Sequence, residues 1–167
     1  IFTDSIKRPL ADTFMLISDL EENINPIEGS KRFLEYQMKT YIENHVNRNL
    51  DVANRTGVIG IIPTIRGYLN LLNHKFGETS WAVLYYIIRC GEMDQAHEFV
   101  QYNQQDFSQS LIDFFDDGSS VKELKEEFAR EITSQYCNPF KALVLSVLSK
   151  SGGFTDNSVI TSAEDWF

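Results

Sequence analysis

Cysteine is scarce in this chain, long apolar runs are missing, and no cluster of positive charge occurs. The only cysteines are Cys90 and Cys137, far apart, with no C-x-x-C pair. That excludes a disulfide framework and a thiolate metal knuckle, and it points to a reducing compartment, cytosol or nucleus. Cys90 sits in an apolar run and reads as a buried, reduced structural thiol. The longest uninterrupted apolar run is eight residues, Trp81–Ile88, where a membrane-spanning helix needs about 20. No signal peptide is visible. The basic residues are dispersed, the nearest approach to a cluster being Lys7-Arg8 and Lys31-Arg32. With 24 acidic against 15 basic residues and a formal charge of −9, the chain lacks the basic face that direct nucleic-acid binding requires.

Motifs that carry chemistry are equally sparse. His97-Glu98-Phe99-Val100-Gln101 begins like a zinc-protease helix but has no second histidine. His45 and His74 read as helix-face or helix-end residues. Gly57-Val58-Ile59-Gly60 lacks the further glycine or the Gly-Lys-Ser/Thr ending that cradles phosphate, and reads as a turn into a helix. No G-x-S-x-G elbow exists. Asp113, Asp116 and Asp117 are not at calcium-loop spacing. Residues 113–131 hold seven acids against three bases and read as a solvated face, with a docking surface for a basic segment as the sharper alternative. Asn54-Arg55-Thr56 matches a glycosylation sequon, without force in an intracellular chain. These residues predict no enzyme, no cofactor and no metal.

What the chain does have is apolar and aromatic mass. Hydrophobic residues make up 43%, and there are twelve phenylalanines and seven tyrosines. A chain of 167 residues is one domain or a piece of a larger one, long enough to bury a core without staples. The ends, Ile1-Phe2 without a methionine and Trp166-Phe167 without a polar tail, read as cut from a longer polypeptide.

Apolar spacing predicts helices throughout. The first covers 9–22, with Pro9 in its first turn. The second runs from about Ser30 to about Asn49, with Leu34, Met38, Tyr41, Ile42 and His45 on one face and Lys31, Glu35, Lys39 and Glu43 on the other. A connector over 49–60 follows. The next helix starts at Ile61 and carries Ile62, Ile65, Leu69, Leu72 and Phe76, ending at Asn73-His74-Lys75. The helix 81–90 is apolar on every side, so protein must surround it. Thr79 or Ser80 is its cap and Gly91 its left-handed stop. A short turn then forces an antiparallel partner with Met93, Ala96, Phe99 and Val100 inward. Asp106 is read as the cap of a helix bearing Phe107, Leu111, Phe114 and Phe115, broken at Asp117-Gly118-Ser119. Ser120 and Glu123 match a capping box before Val121, Leu124, Phe128 and Ile132. Asn138-Pro139 starts a helix whose stripe is Phe140, Leu143, Val144, Val147 and Leu148. A polar loop over 151–161 precedes a last helix from Ser162. Arg89, after eight apolar residues, reads as fixing a helix end by donating to nearby carbonyls rather than as a ligand group. The pattern is all-α, helix–turn–helix units without the fixed period of the strict repeat families.

Three stretches resemble one family. Trp81-Ala82-Val83-Leu84-Tyr85-Tyr86-Ile87-Ile88-Arg89-Cys90-Gly91, followed by the helix with Ala96, resembles the signature of the nucleoporin interacting component family, large α-solenoid scaffold proteins of the nuclear pore inner ring. Asn138-Pro139-Phe140-Lys141 resembles the family's Asn/Asp-Pro-Tyr/Phe-Lys helix start, and Glu164-Asp165-Trp166-Phe167 its Glu-Asp-aromatic ending. The likeness is strong over 79–91 and 138–167, looser over 58–78 and 92–137, and weak before 57. Thr155-Asp156 fits the family, but the usual basic-cysteine pair beside it is lacking. The resemblance implies antiparallel helix pairs stacked as an α-solenoid, a single segment of a larger fold-back helical domain truncated at both ends. It further implies a structural scaffold at the nuclear envelope that supports pore assembly and nucleocytoplasmic transport of protein and mRNA. Its partners would be other scaffold and linker nucleoporins, its membrane association indirect through the pore, and its catalysis nil. The family's N-terminal segment for channel nucleoporins has no counterpart here, so no binding residues are carried over. The alternative is a helical-repeat interaction module of a vesicle-coat or trafficking adaptor.

Overall fold

The computed structural model describes residues 12–18, 25–53, 60–72 and 80–152. Among them all regular structure is helical. Residues 12–18 are helical, with Phe14, Met15 and Ile17 exposed. The remaining elements are α1 (Pro26–Asn47), α2 (Leu50–Ala53), α3 (Ile61–Leu71), α4 (Ser80–Arg89), α5 (Met93–Tyr102), a 3-10 turn (Gln104–Asp106), α6 (Gln109–Asp117), α7 (Val121–Ile132) and α8 (Pro139–Ser149). No described helix is long and apolar enough to cross a membrane.

α1 starts a turn earlier than the periodicity predicts. Asn25 caps it, its Oδ1 accepting from Ile27 N at 3.0 Å, with Pro26 as the first helical residue. Asn-Pro here opens a helix. α1 buries Ile42 and Val46, but Tyr41 is exposed, while Glu35 and Lys39, expected on the solvent side, are half-buried. The predicted connector contains α2, which packs on α3 through a close approach: a Cβ on Gly67 would lie 3.4 Å from both Ala53 Cβ and Val46 Cγ1. Asn70 Nδ2 donates to the carbonyl of Ala53 at 3.1 Å, satisfying the end of α2.

α4 is the central element. Every residue from Ala82 to Ile88 is buried, because α1, α3, α5 and α8 all pack against it. α8, the last described helix, returns to α4 and also packs against α7. That is why α8 is buried on nearly all sides instead of along one stripe. Phe140, Ala142, Val144 and Leu145 are fully buried, and only Val147, expected inside, is left exposed among its large apolar residues. One continuous apolar cluster links α1 to α8.

Several predicted boundaries and faces are corrected. Asp106 lies in the 3-10 turn, and Ser108 occupies the N-terminal boundary of α6. The carboxylate of Asp106 instead accepts from the Ser80 hydroxyl at the start of α4. The Ser120–Glu123 capping box is not formed: Ser120 is left-handed, φ 66°, and its side chain makes no capping bond. Met93, Val121 and Ile132 are exposed, since each is the first or last residue of its helix, beyond the neighbour that covers the interior turns. α3 ends at Leu71. Phe76, the 73–75 stop, Thr79, the sequon at 54–56, Gly57, most of the 9–22 helix and the helix from Ser162 lie wholly or partly outside the described residues.

Candidate functional site

The stretches singled out at 81–91 and 138–141 come together in space. Tyr85 and Tyr86 lie against Phe140 with ring centroids 5.8 and 6.1 Å apart. Trp81 packs edge-on against Phe107 at 5.0 Å, and the Lys141 ammonium sits 5.5 Å from the Trp81 ring centre. A cation over an indole face is attracted by its quadrupole. Asn138 caps α8, its Oδ1 accepting from the backbone N–H groups of Phe140 and Lys141 at 3.1 and 3.2 Å. Pro139 supplies the pre-set first residue. Together these place Phe140 in the core and Lys141 at its rim.

Lys141 is then held by two carboxylates of α7. Its Nζ lies 3.0 Å from Glu127 Oε1 and 3.2 Å from Glu131 Oε2. The other oxygen of Glu127 accepts from the hydroxyls of both Ser108 and Ser110 at 2.7 Å, and Glu131 Oε1 accepts from the backbone N–H of Asn138 at 2.7 Å. Glu127 is only 8% exposed. Burial alone would raise its pKa, but the hydroxyls of Ser108 and Ser110 and the ammonium of Lys141 outweigh that and hold the carboxyl below its ordinary range. Burial would likewise depress Lys141, and its bonds to Glu127 and Glu131 outweigh it and raise the pKa. This arrangement ties α6, α7 and α8 to the first turn of α4.

A second polar cluster surrounds the end of α4. Gly91 N–H bonds the carbonyl of Ile88 at 2.9 Å and Glu92 N–H that of Ile87 at 3.2 Å, the paired bonds of a Schellman stop. Gly91 has φ 74°, where glycine is favoured, and a Cβ there would stand 2.6 Å from Glu35 Oε2, so the Glu35 carboxylate would have to move aside. Lys39 Nζ bonds Glu92 Oε1 at 2.6 Å, and that bond raises its pKa. Burial raises the pKa of Glu35, and the charges of Lys31 and Arg89 act the other way. Arg89 is half-buried with its charge bearing on Glu35. The carbonyls of Tyr86, Ile87 and Ile88 are met by the backbone N–H groups of Cys90, Gly91 and Glu92. Cys90 is 5% exposed, and burial pushes its thiol up to about 12. Ala96 is fully buried in the antiparallel partner helix.

Glu164, Asp165 and Trp166 lie outside the described residues. The acidic 113–131 face is not uniformly solvated, since Glu127 and Glu131 turn inward to Lys141. Periodicity contained the signal for them. Leu124, Glu127, Phe128 and Glu131 share one face, so the inward stripe of α7 carries two carboxylates that need a partner. Nothing local flags Ser108 and Ser110. His97 pairs with Asp116 at 3.1 Å and stacks on Phe115, while His45 stacks on Tyr41 and meets Tyr68 edge-on. No group of three or more metal-ligating side chains occurs among the described residues.

The Nup93/Nic96 family model matches residues 10–167. The chain belongs to the Nup93/Nic96 family. Curated relatives include the nuclear pore complex protein Nup93 of Xenopus tropicalis, 23% identical over 98% of this chain, and the nucleoporin NIC96 of Saccharomyces cerevisiae, 22% identical over 94%. Each alignment covers 22% of the relative, so the chain spans about a fifth of their length. The crystal structure of Chaetomium thermophilum Nic96 SOL superposes with a TM-score of 0.69 at 18% identity, over 83% of this chain and 24% of that one. The Nup93/Nic96 helical fold is therefore present here.

Proposed function

We infer that this chain is a helical scaffold segment of a nuclear pore complex nucleoporin, located at the nuclear envelope and acting through protein–protein contacts. The observation that carries this reading is the family match over residues 10–167, to which the nuclear pore relatives in frog and yeast add support. In this reading the segment's work is mechanical. α4, packed by neighbours on every side, and α8, folded back upon it, supply a rigid unit from which other surfaces of the full-length protein engage scaffold and linker nucleoporins of the inner ring. The role calls for no catalysis, no cofactor and no direct nucleic-acid contact, and membrane association is indirect through the pore. Its biological consequence is support of pore assembly and of protein and mRNA transport. The test is affinity capture of the tagged full-length protein from nuclear envelopes with quantitative mass spectrometry. Enrichment of other scaffold nucleoporins is expected. Enrichment of vesicle-coat or trafficking adaptor subunits with no nucleoporins would overturn the reading.

A further inference from the structure

α7 is attached differently from the helices it touches. Of its twelve residues, eight are exposed, and only Leu124 and Phe128 bury apolar side chains. Its two other inward positions are Glu127 and Glu131. Both are fastened by polar bonds to other elements: to Ser108 and Ser110 at the start of α6, and to Lys141 and the Asn138 N–H at the start of α8. α8 beneath it buries nine of eleven residues.

The chain just before α7 is built to turn. Gly118 has φ 73°, with no atom within 4 Å of where a Cβ would stand, and Ser120 is a left-handed serine at φ 66°. An L-residue held there is strained relative to the right-handed or extended regions. Opening would release that strain, while the strap's own carboxylates would recover water. Polar groups that regain hydration make opening far less costly than withdrawing an equal number of apolar side chains.

We propose that α7 is an electrostatically latched strap, hinged at Gly118–Ser120 and latched by Glu127 and Glu131 on Lys141, that opens as a unit while α4 and α8 stay folded. The latch makes the charge at position 141 the control on how much of α6 and α8 the strap leaves covered. Low-stability units of this kind are the elements proteins use for motion.

Hydrogen-exchange mass spectrometry on the full-length protein tests this, comparing wild type, Lys141→Met, Ser120→Gly and, as a surface-charge control, Glu123→Gln. In low salt the α7 amides should exchange at least about ten-fold faster than those of α4 and α8. Lys141→Met should accelerate α7 selectively, Ser120→Gly should slow it, and Glu123→Gln should change nothing. Should Lys141→Met fail to fold, the wild-type protection pattern and the response to Ser120→Gly decide. Equal protection of α7, α4 and α8 in the wild type would overturn the proposal, as would uniform acceleration of all three by Lys141→Met.

Discussion

α4 and α7 are helices of similar length held by opposite means. α4 buries seven consecutive residues, Ala82 to Ile88, and its aromatic rings meet those of α3 and α8. α7 buries two apolar side chains and relies on two carboxylates for the rest. Apolar burial accumulates with area and involves no titratable group. A carboxylate–ammonium latch depends on desolvated charges keeping their partners, so it fails abruptly when one is removed. The difference teaches that the two motifs at 81–91 and 138–141 do separate jobs at one junction: Phe140 closes the apolar core while Lys141, one residue on, ties down a polar layer.

The largest expected effect comes from the apolar side. Phe140→Ala removes a fully buried ring that meets Tyr85 and Tyr86, and should lower unfolding stability by about 3–5 kcal/mol in denaturant titration. A loss under about 1 kcal/mol would mean that α8 is not seated on α4 as described. The next effect is local. Gly91→Ala must hold a left-handed backbone and displace the Glu35 carboxylate, which should cost about 1–2 kcal/mol.

The pH dependence separates the two polar clusters. Glu127 has its folded pKa depressed below its usual 4.5, so its share of stability is present above that value and is lost as pH falls through the folded pKa. Glu35 has a raised folded pKa, so its share has the opposite sign, fully present below the usual value and lost as pH rises through the folded one. Stability profiles of Glu127→Gln and Glu35→Gln between neutral and acid pH should therefore deviate from wild type in opposite directions; parallel deviations would break the distinction. The smallest effect belongs to the exposed pair His97–Asp116, with side chains 43% and 50% exposed. Asp116→Asn should change stability by less than about 0.5 kcal/mol.

How far the sequence reaches follows the same division. The buried helix 81–90, its glycine stop and the Asn138-Pro139 start were readable because each is a local rule: uniform apolarity, a left-handed C-terminal residue, a side-chain cap. The stripe of α8 was read too narrowly, since Val147 faces out and Ala142 and Leu145 face in, because no local signal says that α4 and α7 flank one helix. α1 begins a turn before its apolar stripe because Asn25 and Pro26 start it by a local cap that periodicity does not register. The capping box at Ser120 failed because Gly118 and Ser120 spend the turn in left-handed conformations. Only half of the latch is legible: periodicity places Glu127 and Glu131 on the inward face of α7, but not their partners. It joins residues of α6, α7 and α8 that meet only after the chain folds back.

The most direct test is a double-mutant cycle on Lys141→Met and Glu127→Gln by equilibrium unfolding of the full-length protein. A latch predicts that each single change leaves a buried group without its partner, and that the double variant loses less than the sum of the two, with a coupling of about 1–3 kcal/mol. Additive losses within about 0.5 kcal/mol would contradict the account, for they would mean that Lys141 and Glu127 stabilise the fold independently and that α7 is held by something else.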